Sequence, residues 1–173
     1  MFSIFGLSMN SCGFPHYTIS PREKAVNKAL ARNAKILAKK YHMNPVGNTV
    51  AMPGGDIQYL ELEFQIHGPL SKNEIRKVLI NSAHDFLADL NSDSELCSYL
   101  KNHSFSLKEI GLGLFLTDFS GRGLKDPEIG IAKISKGKLE YYKCDSVDMS
   151  VNGMIETQES YKTAIQILEN GDS

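Results

Sequence analysis

Apolar residues follow two different spacings along this chain, and each spacing predicts a different kind of secondary structure. In the segment YLELEFQI, residues 59–66, every second residue from position 60 is apolar, and Glu or Gln stands between them. Such alternation is typical of a strand with one buried face and one face in water. The segment EIGLGLFLT, residues 109–117, repeats the spacing. We therefore predict a sheet covered on one side only, with exposed Glu61 and Glu63 and with core residues Leu62, Phe64, Ile110, Leu112 and Leu114.

Two helices are predicted from matching start signals. Ser20 precedes Glu23, and Ser71 precedes Glu74, with the Ser-x-x-Glu spacing of a capping box. In that motif each side chain binds a backbone amide that the first helical turn leaves without a partner. Pro21 suits the first helical position, because its missing N–H is not needed there. Apolar residues at helical spacing follow both signals, so we expect helices that begin directly after Ser20 and Ser71.

The other segments complete an alternating pattern of helices and strands. The sequence NPVGN, residues 44–48, is predicted to end the first helix, because proline disfavours a helical conformation in the residue before it. Residues 129–142 predict a hairpin with Lys136 and Gly137 in its turn. Residues 145–156 are predicted to form a loop, and the segment TQESYKTAIQILENG from residue 157 a last helix. Two glycines within a strand, at positions 111 and 113, indicate that something packs closely against that face.

The order of these elements predicts the fold class. Long connections on either side of the first strand and a hairpin near the end favour an α+β two-layer sandwich. We expect an antiparallel or mixed sheet of three to four strands with helices packed on one face. The 173 residues and the 42% of apolar residues suit a single α+β domain over residues 20–173, preceded by a signal-like or tether segment over residues 1–19.

The first segment contains a candidate lipidation site. In FSIFGLSMNSCG, a short apolar run ends at Ser11, Cys12 and Gly13, as in a bacterial lipoprotein signal. A lipoprotein signal has Lys or Arg before the apolar run, and this run has neither. Translation from a start codon further upstream would add the residues in which that basic residue could stand. We expect lipidation of Cys12 and a bacterial protein that is anchored to a membrane or exported. The alternative is a cytoplasmic protein with three reduced cysteines, because an odd cysteine count also fits a reducing compartment.

The strongest charge asymmetry lies in the first helix. Residues 20–43 contain seven basic residues and one acidic residue, although the whole chain has a net charge of −1. Five of the basic residues fall on one stripe at helical spacing. This stripe is either a solvated outer face or a binding surface for anionic lipid or an acidic partner. Nucleic acid is disfavoured, because no aromatic residues alternate with the basic ones. The stripe consists of Lys24, Lys28, Arg32, Lys35 and Lys39.

Motifs with known chemistry are not found. DLNSDSE, residues 89–95, has the oxygen spacing of a calcium loop but lacks its Gly and Glu, so we interpret it as a cap for a following helix. The glycine-rich segments GNTVAMPGGD and SGRG lack the context of a phosphate loop. No two histidines are spaced to share a metal on one helix face. The sequence therefore predicts no catalytic residue, no metal site and no cofactor.

Four blocks of the chain resemble a group of small proteins from bacteria with an intracellular lifestyle. They are YLELEFQI, YLKNHSFSLKEIGLGLFLTDFSG, PEIGIAKISKGKLEYY and ETQESYKTAIQIL. Members of that group often begin with a lipoprotein-like signal, and the resemblance implies no catalytic residues. We expect a non-enzymatic, exported or membrane-tethered domain that binds a protein partner or a lipid surface. The alternative is a cytosolic domain that binds a small molecule or a protein, and an enzyme is the third hypothesis.

Overall fold

A computed structural model describes residues 18–100, 102–144 and 155–171 of the chain. Cys12 and the greater part of the predicted loop after residue 144 lie outside the described residues. The helices are α1 (Pro21–Tyr41), α2 (Lys72–Ser92), α3 (Ser94–Cys97) and α4 (Tyr161–Gly171). The strands are β1 (Asn44–Ala51), β2 (Tyr59–His67), β3 (Ile110–Thr117), β4 (Ile129–Ser135), β5 (Lys138–Lys143) and β6 (Ile155–Ser160).

The strands form one mixed sheet in which spatial order follows chain order. The sheet has six strands, in the order β1-β2-β3-β4-β5-β6. Only the β2–β3 pair is parallel, and α2 provides the long connection that a parallel pair requires. The helices contact one another as well as the strands and form the second layer. The predicted α+β class, with helices and an open mixed sheet, is confirmed.

The predicted number of three to four strands is wrong, because both edge strands were overlooked. β1 occupies the segment that was predicted only to end the first helix, and it pairs with β2 across a bulge between Pro45 and Gly47. β6 occupies residues that were predicted as loop and as the first turn of the last helix. Neither segment shows apolar alternation, because an edge strand is stabilised by backbone hydrogen bonds to its one neighbour and buries few side chains.

Both predicted helix starts are confirmed in atomic detail. The Ser20 hydroxyl accepts a hydrogen bond from the backbone N–H of Glu23, and the Glu23 carboxylate accepts one from the N–H of Ser20. Ser71 and Glu74 form the same reciprocal pair at the start of α2. His42 ends α1 in the left-handed conformation, with φ 54°. The contacts that begin each helix are local, since each joins residues three positions apart.

The central strands have the predicted phase. The predicted core residues of β2 and β3 are all at most 2% exposed, and they face the helical layer. Their partners across the parallel ladder lie directly opposite, Leu62 beside Leu112 and Phe64 beside Leu114. The predicted hairpin also forms, with Lys136 and Gly137 at positive φ between β4 and β5. The other face of these strands is therefore turned away from the helices.

A buried ion pair attaches the last strand to the helical layer. The Arg76 guanidinium of α2 donates two hydrogen bonds to the carboxylate of Glu159 on β6, at 2.7 and 3.0 Å. The Arg76 and Glu159 side chains are only 5% and 11% exposed. The Tyr141 hydroxyl donates to the same carboxylate. Burial alone would raise the pKa of Glu159, but Arg76 and Tyr141 outweigh that effect and hold the pKa below its ordinary value.

Candidate functional site

The sheet face turned away from the helices carries a mixture of apolar, charged and glycine residues. We call it the open face. Along β2 its side chains are half-buried at Tyr59, Glu61, Glu63 and Gln65, whereas the alternate residues are fully buried. Glu61 and Glu63 thus point away from the core as predicted, but they are not fully exposed. The neighbouring open-face residues on the next three strands are Gly111, Gly113, Phe115, Thr117, Ile131, Lys133, Ser135, Glu140 and Tyr142.

Two neighbouring cavities lie on the open face and share two lining residues, and we call them together the open-face groove. The first has a volume of about 270 Å³ and is lined by Phe115, Ile131 and Tyr142 as well as by charged side chains. The second, of about 540 Å³, extends to the exposed Val46 at the edge strand. Glu63 and Phe115 line both cavities. The groove therefore runs from β5 to β1 across the middle of the sheet.

Glycines on β3 leave space on the open face, and side chains of β2 use it. A Cβ at Gly111 would overlap the Tyr59 hydroxyl, and a Cβ at Gly113 would lie 3.4 Å from the Cγ of Glu63. Side chains of β2 therefore lie flat across the neighbouring strand, and Gly113 forms part of the floor of the first cavity. The close approach predicted from the two glycines is present. Its source is the side chains of the adjacent strand.

The carboxylates of Glu61 and Glu63 dominate the charge of the groove. Burial raises the pKa of Glu61, and the like charge of Glu63 raises it further. Among the described residues, Glu63 has no hydrogen-bond or ion-pair partner. Lys133, which lines the first cavity with them, is 3.1 Å from Glu140 and lies over the Tyr142 ring. The two glutamates thus carry negative charge that this lysine only partly compensates.

Tyr59 closes one end of this arrangement. Its hydroxyl oxygen is 2.9 Å from the Ser135 hydroxyl oxygen, which connects β2 with β4 across the glycine floor. Burial is the main reason that the pKa of Tyr59 is raised to about 12.

At the opposite end, the turn after β3 presents an aromatic side chain to solvent. Phe119 is 90% exposed and stacks on the His67 ring, with 5.5 Å between the ring centroids. The Asp118 carboxylate accepts hydrogen bonds from Ser120 and Arg122, which hold the turn and lower the pKa of Asp118 to about 2. Arg122 of the same turn lines the second cavity, so Phe119 belongs to a turn that borders the groove.

The basic stripe of α1 divides into two groups. Arg32 binds Asp89 of α2 at 2.7 Å and Asp93, the residue between α2 and α3, at 2.9 Å, and Asp89 is the main reason that the pKa of Arg32 is raised. Lys28 lies 3.8 Å from Glu95. The other three members of the stripe are exposed and have no acidic partner among the described residues. They are Lys24, Lys35 and Lys39.

The acidic residues at the end of α2 therefore have structural roles. Asp89 also accepts a hydrogen bond from the buried Asn33, and Asp85 binds Lys40 and Tyr41. Asp93 caps α3 by accepting a hydrogen bond from the N–H of Leu96, as we predicted for this polar break.

Within the described residues, no group of three metal-ligating side chains comes together. No helix in the described part of the chain is long and apolar enough to cross a membrane.

Sequence reasoning missed the apolar half of the groove. Phe115, Ile131 and Tyr142 alternate with buried residues and so stand at positions expected to be polar. Apolar residues at solvent-facing positions of three adjacent strands are a detectable signal, but only once the strand order is known.

Comparisons with known proteins give no match: no family model matches the chain, and no curated protein or solved structure matches it significantly.

Proposed function

We propose that this chain is a non-enzymatic protein-binding domain, and that the open-face groove is the surface that binds its partner. The supporting observation is the row formed by Phe115, Ile131 and Tyr142, which lines a groove on the side of the sheet opposite the helices. Apolar surface surrounded by polar groups is typical of protein-binding sites. The exposed Phe119 beside the groove adds a large aromatic contact of the kind that is enriched in such interfaces.

The shape of the groove favours a macromolecular partner over a small molecule. Sites for small molecules are clefts that enclose most of the ligand surface. This groove is lined mainly by side chains of a single sheet and extends over five neighbouring strands. A segment of another protein can lie along such a groove, whereas a small molecule would leave much of its own surface in water. Small-molecule binding is therefore the weaker alternative for this groove.

We propose a bacterial membrane-anchored or exported location, with lipid attached to Cys12. The support is the local sequence Ser11-Cys12-Gly13 after an apolar run. Mass spectrometry of the protein isolated from its own host tests this proposal directly. A diacylglyceryl adduct on Cys12 is the expected result. An unmodified Cys12 in the complete protein would favour the cytoplasmic alternative.

A lipid surface is a second candidate partner, because one apolar residue is exposed among the unpaired lysines of α1. Ile36 is 45% exposed and is adjacent to Lys35, and Lys39 follows three residues later. Basic residues attract anionic headgroups, and an apolar side chain between them adds contact with the acyl region. This surface lies in the helical layer, so variants can test it separately from the groove.

Photo-crosslinking in the native host tests the proposed function. Ile131 is replaced by the photoreactive amino acid benzoylphenylalanine, and the matched control carries it at the exposed Gln166 of α4. We expect a discrete protein adduct from position 131, no such adduct from position 166, and loss of the adduct when Gly113→Leu fills the groove.

Three other outcomes contradict the proposal. Equal labelling from both positions would indicate nonspecific contact. A protein adduct that persists in the Gly113→Leu variant would show that binding does not use the groove. A lipid adduct without a protein adduct at position 131 would show that the groove contacts lipid and not a protein partner. Circular dichroism and thermal unfolding of each variant verify that the fold is intact.

A further inference from the structure

We infer that the segment bound in the open-face groove is cationic, and that it places a Lys or Arg against Glu61 and Glu63 with an apolar side chain next to it against Phe115. This inference rests on the proposed function, since it specifies the partner of the same groove. It identifies the partner by chemistry, as a short basic and apolar segment of another protein.

The charges that line the groove select a cation. Arg122 already binds Asp118 at 3.2 Å, and Lys133 binds Glu140 at 3.1 Å. Glu63 has no such partner among the described residues, and its nearest charged neighbour on the strand is Glu61. A ligand with a carboxylate here would add a third negative charge, whereas an ammonium or guanidinium group would interact favourably with two.

The two glutamates also repel each other, and the burial of Glu61 strengthens that repulsion. Both side chains are half-buried on one strand face, where the effective dielectric constant is lower than in water. The carboxylate of Glu63 lies over Gly47 of the edge strand, so it sits on the rim and not in the core. A cation that approaches from solvent can therefore reach this carboxylate without crossing the sheet.

The shared lining of the two cavities places the apolar contact beside the cation. Glu63 and Phe115 both line each cavity, so side chains bound in the two cavities lie next to each other. From β5 to β1 the groove crosses four strand spacings, or about 19 Å at ~4.8 Å each. An extended segment of about six residues spans that distance. The expected ligand is thus short, and it combines one or two basic residues with apolar neighbours.

The test begins with a library of random dodecapeptides displayed on phage and selected on the immobilised full chain. Synthetic copies of the selected peptides are then titrated by fluorescence anisotropy. One variant combines Glu61→Gln with Glu63→Gln, and it removes the two carboxylates that we assign to the cation. The matched control combines Glu128→Gln with Glu169→Gln, which changes the net charge equally at two exposed positions away from the groove. Gly113→Leu tests whether a peptide uses the groove at all.

We expect selected peptides that are enriched in Lys or Arg beside an apolar residue. Their affinity should fall about tenfold in the Glu61→Gln, Glu63→Gln variant and stay within about twofold in the control. Added salt should weaken binding to the original chain more than binding to the Gln variant.

The inference is overturned if the selected peptides are neutral or acidic, lose their binding to the Gly113→Leu variant and bind the Glu61→Gln, Glu63→Gln variant with unchanged affinity. The proposed function would still stand in that case. If Gly113→Leu affects no selected peptide, the proposed function and the inference both fail. Thermal unfolding of every variant separates loss of binding from loss of the fold.

Discussion

The Tyr59 side chain lies across Gly111 on the neighbouring parallel strand, and its hydroxyl occupies the space that a Cβ at Gly111 would need. The same hydroxyl reaches Ser135 on the strand beyond. The absence of a side chain at Gly111 is therefore a condition for a contact that spans three strands. Gly113, two residues further along, leaves space for a cavity instead.

This difference predicts opposite effects of two similar substitutions. Gly111→Ala should displace Tyr59, break its hydrogen bond to Ser135 and lower the free energy of unfolding by about 1–2 kcal/mol. Gly113→Ala should be neutral or should stabilise by up to about 1 kcal/mol, because alanine restricts the unfolded chain and only contacts Glu63 here. Urea unfolding of both variants measures the effect. Equal losses of stability would show that Tyr59 does not depend on Gly111.

The two capping boxes are expected to contribute similar amounts to stability. Ser20→Ala and Ser71→Ala each remove the side-chain acceptor for one backbone N–H in the first helical turn. Each should lower the free energy of unfolding by about 1 kcal/mol. Replacement of either serine by Asp should retain most of the stabilisation by the cap. The measurement is the urea midpoint at constant slope. An unchanged midpoint for Ser71→Ala would contradict the assigned role of this cap.

The alternation of buried and half-buried residues in β2 predicts that a substitution at one position destabilises the fold strongly and a substitution at the next position only slightly. Phe64 is fully buried against the helical layer, so Phe64→Ala should cost about 3–5 kcal/mol, enough to unfold a domain of ordinary stability. Gln65, on the open face, is half-buried, and Gln65→Ala should cost much less. Thermal unfolding compares the two. A larger loss at Gln65 would mean that the strand faces are exchanged.

The ion pair between Arg76 and Glu159 predicts a pH-dependent contribution to stability. Because the pKa of Glu159 is lower in the folded state, its contribution is present above the unfolded-state value and is lost as the pH falls through the folded-state value. Glu159→Gln should cost about 1–3 kcal/mol near pH 7. That difference from the original chain should decrease as the pH falls below the ordinary Glu pKa of about 4.3. The exposed Glu169→Gln is the control, and a pH-independent difference would contradict the assignment.

The unpaired lysines of α1 predict a salt-sensitive interaction with anionic vesicles if the lipid-surface candidate is correct. Each lysine near such a surface adds about 1 kcal/mol. Lys35→Glu combined with Lys39→Glu should therefore abolish sedimentation with the vesicles at low salt. Lys125→Glu combined with Lys162→Glu changes two exposed lysines elsewhere and should have a small effect. No binding of the original chain at low salt would remove this candidate.

The sequence was sufficient wherever the determining contacts are local. The boxes at Ser20 and Ser71 join residues three apart, and the turn at Lys136 and Gly137 depends on the conformations of two adjacent residues. The phase of β2 follows from alternation within nine residues. Each of these features could be predicted, because the residues that decide it are neighbours in the chain.

The packing of the whole fold determines which distant residues meet. The segment Asn44–Ala51 forms the edge strand β1 because its backbone pairs with β2. Arg32 binds Asp89, from which it is separated by 57 residues in the chain. The open-face groove likewise combines side chains from β1 to β5, none of which indicates a site in its own segment. Local patterns fix conformation and burial, whereas a binding surface depends on strand order, which is set by the packing of the whole sheet against its helices.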